Sequence, residues 1–342
     1  MTLHLTAEDV RALATEEVAL AAAREAVHAE ADGEASTPTR LDMPTPNGFL
    51  RFMPGRFRGI AGVKTMSMTR GVGNRYLLTV YDLADGNVLA LIDADEVTRL
   101  RTAATTAVAA EAMLGAGKPT SLGLIGTGFE ATGHLRVLAR RYPLSEVRVF
   151  SRSPERCARF AATMTDELGI SVVPTHNPEE AVREMPLVCL ATKDTAPVVD
   201  GSAFLSGAVV LSIGSTRPDL RELDDAAFKR SSLVLVDSVH GVIAESGDVQ
   251  SALAGGAIDE ADLISMAHTT DVAPAGRRPG DLKVFKSVGT ALQDLALAAS
   301  IISAASASEH GRELGELAQL KPSAGASRPL AAAGAIKNGN RP

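Results

Sequence analysis

The stretch Leu122-Gly123-Leu124-Ile125-Gly126-Thr127-Gly128-Phe129-Glu130-Ala131 limits most sharply what this chain can fold into. An apolar run ends in Gly-x-Gly-x-x-Ala and opens into a helix-like segment, the fingerprint of a dinucleotide site at the first strand-to-helix turn of a Rossmann domain. Gly126 permits the tight turn, and Gly128 keeps a Cβ out of the path of a pyrophosphate. Ala131 lets the helix pack close to the strand, whose next helix offers free N–H groups to the phosphates. Thr127, Phe129 and Glu130 complete the turn and are expected to line it. A glycine pattern also marks ordinary turns, so its surroundings must decide.

At 342 residues the chain suits two domains. A net charge of −7 without a basic stripe argues against a nucleic-acid partner. Only Cys157 and Cys189 are present, too few for a disulfide framework or a Cys-rich metal site, and the seven His, His134 and His240 among them, show no metal-ligand spacing. The start, Met1-Thr-Leu-His-Leu-Thr, lacks the basic and apolar regions of a signal peptide, and a cytoplasmic location is expected. The Ala-rich stretch 291–306 is broken by Gln293, Asp294 and several Ser, which favours a buried helix over a membrane span.

Residues 6–30 predict one amphipathic helix, with Thr6 as its N-cap and Asp9 in its first turn. Short strands are expected at 48–53, 60–68, 76–81 and 88–92, with Asp85-Gly86 as a hairpin signal, and a helix over 94–114. From Ser121 the rhythm becomes strand alternating with helix. Strands are expected at 121–125, 146–150, 171–174, 187–191, 207–213 and 232–237, and helices at 129–141, 154–168, 178–184 and 222–229. That alternation predicts a parallel sheet. Residues 286–314 read as one long apolar helix, and 321–342 as a flexible Ala/Gly/Pro-rich tail. The fold class is therefore α/β: a Rossmann dinucleotide-binding domain (117–299) plus a discontinuous α+β substrate and dimerisation domain (1–116 and 300–320), with the Gly/Lys/Pro break at 115–119 as the boundary.

The end of the second Rossmann strand discriminates NAD from NADP, because an acid there bonds the ribose 2′-OH whereas basic and hydroxyl groups receive a 2′-phosphate. Here Phe150 is followed by Ser151, Arg152, Ser153 and, three residues on, Arg156, with no acid at the strand end. These residues form a phosphate cup favouring NADP(H), with NAD(H) the alternative if the arginines are only solvated helix-start residues. Later strand ends face the same crevice, so Ala191, Thr192, Ser212, Ile213 and Gly214 are further cofactor candidates.

Three cations sit on apolar backgrounds ahead of the glycine turn: Arg40, Lys64 and Arg101. Singly, each reads as a partly exposed or salt-bridged residue. Together they predict a pocket for an anionic substrate such as a carboxylate.

With Gly62-Val63-Lys64, Arg101-Thr102-Ala103-Ala104, Gly126-Thr127-Gly128-x-x-Ala131, Ser212-Ile213-Gly214-Ser215-Thr216-Arg217-Pro218-Asp219-x-Arg221-Glu222-Leu223, Glu245-Ser246-Gly247-Asp248 and Val284-Phe285-Lys286-Ser287-Val288-Gly289, the chain resembles the ornithine cyclodeaminase/mu-crystallin family from about residue 35 to 305. The resemblance implies a homodimer joined through its antiparallel sheets. It implies that Arg40, Lys64 and Arg101 hold the substrate carboxylate, with Lys64 also acting on the reacting group. It extends the cofactor set to Lys286 and Ser287, expected to open a helix toward the nicotinamide. Cyclodeaminases carry an Asp where this chain has Thr216, and a threonine cannot take up a proton at neutral pH. Asp219 could supply a carboxylate, or only cap a helix starting near Leu220. The expected activity is thus reduction of an α-imino acid or cyclic ketimine by NAD(P)H, without a membrane or nucleic-acid partner. The alternatives are a cyclodeaminase using bound NAD⁺ and a non-catalytic NADPH-dependent ligand binder.

Overall fold

The computed structural model describes residues 2–271 and 278–318. The chain forms two compact units: one runs through Arg101 and resumes at Ala291, and the other is Thr102–Thr290. In chain order the elements are β1 (Leu3–Leu5), α1 (Ala7–Leu13), α2 (Glu16–Ala31), β2 (Ala35–Ser36), β3 (Leu41–Thr45), β4 (Gly48–Phe57), β5 (Ile60–Thr69), β6 (Gly73–Asp82), β7 (Val88–Asp93) and α3 (Asp95–Leu114). The second unit continues with β8 (Ser121–Ile125), α4 (Phe129–Arg141), β9 (Glu146–Phe150), α5 (Pro154–Leu168), β10 (Ser171–Pro174), α6 (Pro178–Val182), β11 (Leu187–Leu190), β12 (Val209–Ser212), α7 (Asp225–Arg230), β13 (Ser231–Val236), α8 (Val239–Glu245), α9 (Gly247–Ala254), β14 (Leu263–Ser265) and β15 (Leu282–Lys286). The first unit then regains α10 (Ala291–Ser306) and β16 (Arg312–Glu313).

The first unit is built on a sheet of order β16-β1-β7-β6-β5-β4-β2, with β3 also on β4. All its pairings are antiparallel except β1 with β7. Period-two alternation turns one row inward: Met53, Lys64, Leu78 and Ile92 are cross-strand neighbours, and all are buried. Helix α10 lies on this face because Gly55 and Gly62, themselves register partners, leave room for it. A Cβ on Gly55 would stand 3.0 Å from the Ala291 Cβ, and one on Gly62 2.7 Å from Leu295 Cδ2. The close approach brings the polar residues of α10 down onto Lys64.

The second unit holds eight parallel strands in the order β10-β9-β8-β11-β12-β15-β13-β14. Strands β11 and β12 are buried at every position, as parallel strands covered on both faces must be. The strand order reverses at β8, whose neighbours are β9 and β11, and this topological switch point is where α/β sheets open a ligand crevice. The α/β class with its Rossmann-type parallel sheet is thus observed.

Several expected elements differ. The helix expected over 6–30 is two helices, because Ala14 is extended and Thr15 caps α2 by accepting from the Val18 N–H. Thr6 does cap α1, in a reciprocal box with Asp9. The strand expected at 48–53 runs on to Phe57, and β3 pairs with it where no strand was expected. Residues 286–314 are not one helix: Lys286 ends β15, and α10 starts only at Ala291. Residues 222–224 precede α7 rather than belonging to it, since Asp224 caps that helix at the Ala227 N–H. The break at 115–119 ends α3 but not a compact unit, because the division falls inside α3 at Arg101/Thr102. The tail expected at 321–342 lies outside the described residues. No helix among the described residues is long and apolar enough to cross a membrane.

Candidate active site

The glycine turn lies at the switch point. Gly126 has φ +117, a conformation that an L side chain rarely adopts, and a Cβ there would sit 2.4 Å from the Ala191 carbonyl oxygen. The Gly126 N–H donates to the Phe150 carbonyl at 2.9 Å, and the Ala191 N–H to that of Ile125 at 2.9 Å, so the turn is tied to both neighbouring strand ends. Gly128 is the N-cap of α4 and has no side chain to satisfy the first helical N–H groups. Nothing stands within 4 Å of where its Cβ would be. The Thr127 hydroxyl between the glycines is buried yet has no hydrogen-bond partner among the described residues. Unoccupied donors, an open cradle and a helix N-terminus fit a dinucleotide pyrophosphate. Ala131 is fully buried at the helix–strand contact, whereas Phe129 is exposed and Glu130 half-buried.

Behind the crevice, one carboxylate joins three strand ends. Glu222 Oε1 accepts from the Thr192 N–H at 2.6 Å and its hydroxyl at 2.8 Å. Its Oε2 accepts from the Ser212 hydroxyl and the Gly214 N–H, both at 2.8 Å. Glu222 is fully buried, and burial pushes its pKa up while the Lys286 ammonium pulls it back. Four donors converging on two oxygens suit the carboxylate form. Asp248, also buried, accepts from the Glu222 and Leu223 N–H groups at 2.7 and 3.1 Å and pairs with Lys286 at 3.2 Å.

This network corrects two expectations. Lys286 lies between two buried carboxylates, 3.2 Å from Asp248 and 3.9 Å from Glu222, and donates to the buried Ser212 Oγ at 2.9 Å, so its charge is already met and both side chains hold the crevice wall rather than face a ligand. Ser287 does not open a helix; its hydroxyl donates to Asp237 at 2.6 Å in the turn after β15. Ile213 is buried, and its N–H donates to the Leu190 carbonyl at 3.1 Å.

At the end of β9, Ser153 caps α5 by accepting from the Arg156 N–H at 3.3 Å. Ser151 is half-buried and the Arg156 side chain exposed. Arg152 forms an ion pair with Asp194 at 3.0 Å. Lys193, which the sequence did not single out, donates to the Gly214 carbonyl at 2.8 Å and to Thr216 Oγ1 at 3.2 Å. Asp219 is exposed, paired with Arg217 through bonds of 2.9 and 2.7 Å that hold its carboxyl below the usual carboxylate range. It caps no helix, for none starts near Leu220. His134 is buried in α4, bonded to the Glu130 carbonyl and Thr106, while His240 is exposed. Cys157 and Cys189 are buried, and burial pushes both thiols up, most strongly Cys189.

In the first unit, two of the three cations meet on a residue that the sequence had used only against a membrane reading. Asp294 of α10 is fully buried. Its carboxylate lies 2.9 and 2.8 Å from the Lys64 ammonium and accepts from Arg101 Nε at 2.9 Å. Arg101 Nη1 donates to Gln293 at 2.7 Å, and Lys64 also donates to Thr98 at 3.3 Å. Lys64 is 1% and Arg101 6% exposed, burial that a charge tolerates only when paired. Arg40 stands half-buried one residue ahead of β3. Arg51, another buried cation on the inward face, is bound by Asp42 through two 2.6 Å bonds.

Residues 1–309 match the model of the ornithine cyclodeaminase/mu-crystallin family. The chain belongs to that family. It is 30% identical over 280 residues to the ketimine reductase mu-crystallin of Mus musculus, covering 78% of this chain and 84% of that protein. The Δ1-pyrroline-2-carboxylate reductase of Thermococcus litoralis, solved with NADH and L-proline, superposes with a TM-score of 0.84 at 26% identity, covering 91% of this chain and all of that one. An archaeal alanine dehydrogenase dimer with bound NAD gives a TM-score of 0.84 at 27% identity, covering 92% and 99%.

Gly128→Ala tests the cradle without a clash, because its Cβ meets no protein atom. NADH and NADPH affinity, read by nucleotide fluorescence, is expected to fall about tenfold or more, with the thermal transition lowered by no more than a few degrees, the cost of alanine at an N-cap. Unchanged affinity would show that the turn does not carry the nucleotide.

Proposed function

We propose that the protein is an NAD(P)H-dependent reductase of an α-imino acid or cyclic ketimine, acting reversibly as an amino-acid dehydrogenase. The observation that carries this reading is the pairing of Lys64 and Arg101 on one buried carboxylate, Asp294. Two cations against one anion make a cluster suited to a substrate carboxylate, which adds the second negative charge. Asp294 and Gln293 fix the cations in advance, so little ordering remains to be done when substrate binds. Arg40 is the third proposed carboxylate ligand. The names of the mouse and Thermococcus relatives, both imine reductases, support the same reaction class.

Gly126, Thr127, Gly128, Phe129, Glu130, Ala131, Ala191, Thr192 and Gly214 would hold the nicotinamide dinucleotide, which supplies the hydride when bound. In the reducing direction that hydride would add to the carbon of a protonated C=N bond, whose π electrons would become the lone pair of the product amine. Lys64 holds the carboxylate and, as an ammonium, keeps the imine protonated. The Ser151–Arg156 segment favours NADP(H), with NAD(H) also accepted.

A cyclodeaminase is the second reading. Thr216 accepts a bond from the Lys193 ammonium at 3.2 Å, and a hydroxyl beside a cation is a poor base, which disfavours that reading. A non-catalytic ligand binder would have no use for a pre-set carboxylate clamp.

We also propose a homodimer. On the face of the first sheet opposite Lys64, Leu41, Phe52, Thr65 and Leu77 form a cross-strand row, and Leu41 and Leu77 are 64% and 45% exposed. An apolar sheet face of this kind calls for a partner, and a second copy meets it by twofold symmetry.

Two outcomes are expected. With Δ1-pyrroline-2-carboxylate and NADPH, Lys64→Met should lower kcat/KM on the order of 10³-fold while nucleotide affinity stays near wild type. Near-normal turnover would remove Lys64 from the mechanism. Ammonia release from ornithine, without imine reduction, would favour the second reading. Light scattering should give a dimer at low micromolar concentration and a monomer for Leu77→Asp, and a monomeric wild type would sink the dimer.

A further inference from the structure

Strands β9 and β11 flank β8, so their C-terminal ends stand on either side of the glycine turn, about 10 Å apart at two strand spacings. An ion pair crosses that gap: Arg152, two residues past β9, meets Asp194, four residues past β11, at 3.0 Å. The two partners are unequally held. The Asp194 side chain is 25% exposed, and its Oδ1 accepts from the Thr195 N–H at 2.9 Å. Its carbonyl accepts from the Arg221 N–H at 2.8 Å, and Arg221 adjoins the buried Glu222. That anchoring leaves Oδ2 pointed at Arg152. The Arg152 side chain is 80% exposed, so it can exchange partners at small cost.

We propose that Asp194 is a cofactor-specificity residue that competes with the 2′-phosphate of NADP(H) for Arg152. This rests on the dinucleotide reading above. With NAD(H) bound, the ribose offers only hydroxyls, and the Arg152–Asp194 pair persists. With NADP(H) bound, the guanidinium turns to a phosphate carrying close to two negative charges, a stronger and bidentate partner. Asp194 is then left as an unpaired anion near that phosphate, and like charges repel across the low-dielectric edge of the protein. The pair therefore narrows the preference for NADP(H) that the arginine alone would produce, and the chain accepts both nucleotides. Asp194→Asn removes the competing charge while its side-chain oxygen can still accept from the Thr195 N–H.

Direct binding of NADPH and NADH to the full chain at low ionic strength, read by nucleotide fluorescence, tests this in four proteins: wild type, Asp194→Asn, Arg152→Ala and the double variant. Asp194→Asn should tighten NADPH about two- to tenfold, the scale of a partly exposed ion pair plus relieved repulsion, and change NADH less than about twofold. In the Arg152→Ala background the same substitution should leave only the smaller selective gain of relieved repulsion, and added salt should shrink the difference. Equal effects on both nucleotides, no tightening, or a selective gain as large without Arg152 as with it would overturn the competition. Because the readout is binding, failure to reduce any imine would count against the proposed reaction and leave this result standing. Wild-type protein that binds neither nucleotide would overturn both.

Discussion

Lys64, Arg101 and Asp294 form the interaction on which the first unit's chemistry depends. Burying an ammonium and a guanidinium costs several kcal/mol each unless a carboxylate meets them, and removing one member of such a group typically destabilises by about 3–5 kcal/mol. The fold supplies that carboxylate from a helix whose sequence position is 230 residues from Lys64. Two register-paired glycines, Gly55 and Gly62, let the helix come close enough for Asp294 to reach. Packing, backbone composition and charge thus converge on one place. The cluster carries one more positive than negative charge among these three groups, which is why an anionic substrate completes it.

The second unit solves a parallel problem with the opposite sign at its centre. The loops after β11 and β12 must be held in one shape for a nucleotide to find a preformed crevice. Glu222 accepts four hydrogen bonds from them and from the end of β12, and Lys286, itself held by Asp248, balances its charge from behind. None of these three side chains is exposed. They act on the site by fixing the groups that touch the ligand.

Much of this was legible in the sequence, and the limits have physical causes. The glycine turn could be read because only glycine tolerates the Gly126 backbone and the approach to Ala191, so the residue type itself reports the geometry. Lys64 and Arg101 could be picked out as charges on apolar segments. Their shared partner could not, since Asp294 sits in an Ala-rich stretch where it looked like a mere interruption of hydrophobicity. Lys286 was misread for a related reason: Val284-Phe285-Lys286 continues into an apolar run, and periodicity alone does not separate a buried strand end from a helix start. The Glu222 network joins residues from five separate segments, so no local pattern announces it. The single helix expected at 6–30 failed because one threonine, Thr15, offers the backbone a better local bond than the helix would.

The most direct measurement of the central claim compares Δ1-pyrroline-2-carboxylate with Δ1-pyrroline, the same cyclic imine without its carboxylate, under steady-state NADPH oxidation. If the Lys64–Arg101–Asp294 cluster exists to bind a carboxylate, kcat/KM for the carboxylated imine should exceed that for its counterpart by about 10³-fold or more, because the stripped substrate leaves the cluster's surplus positive charge unbalanced. Comparable rates for the two imines would contradict the account.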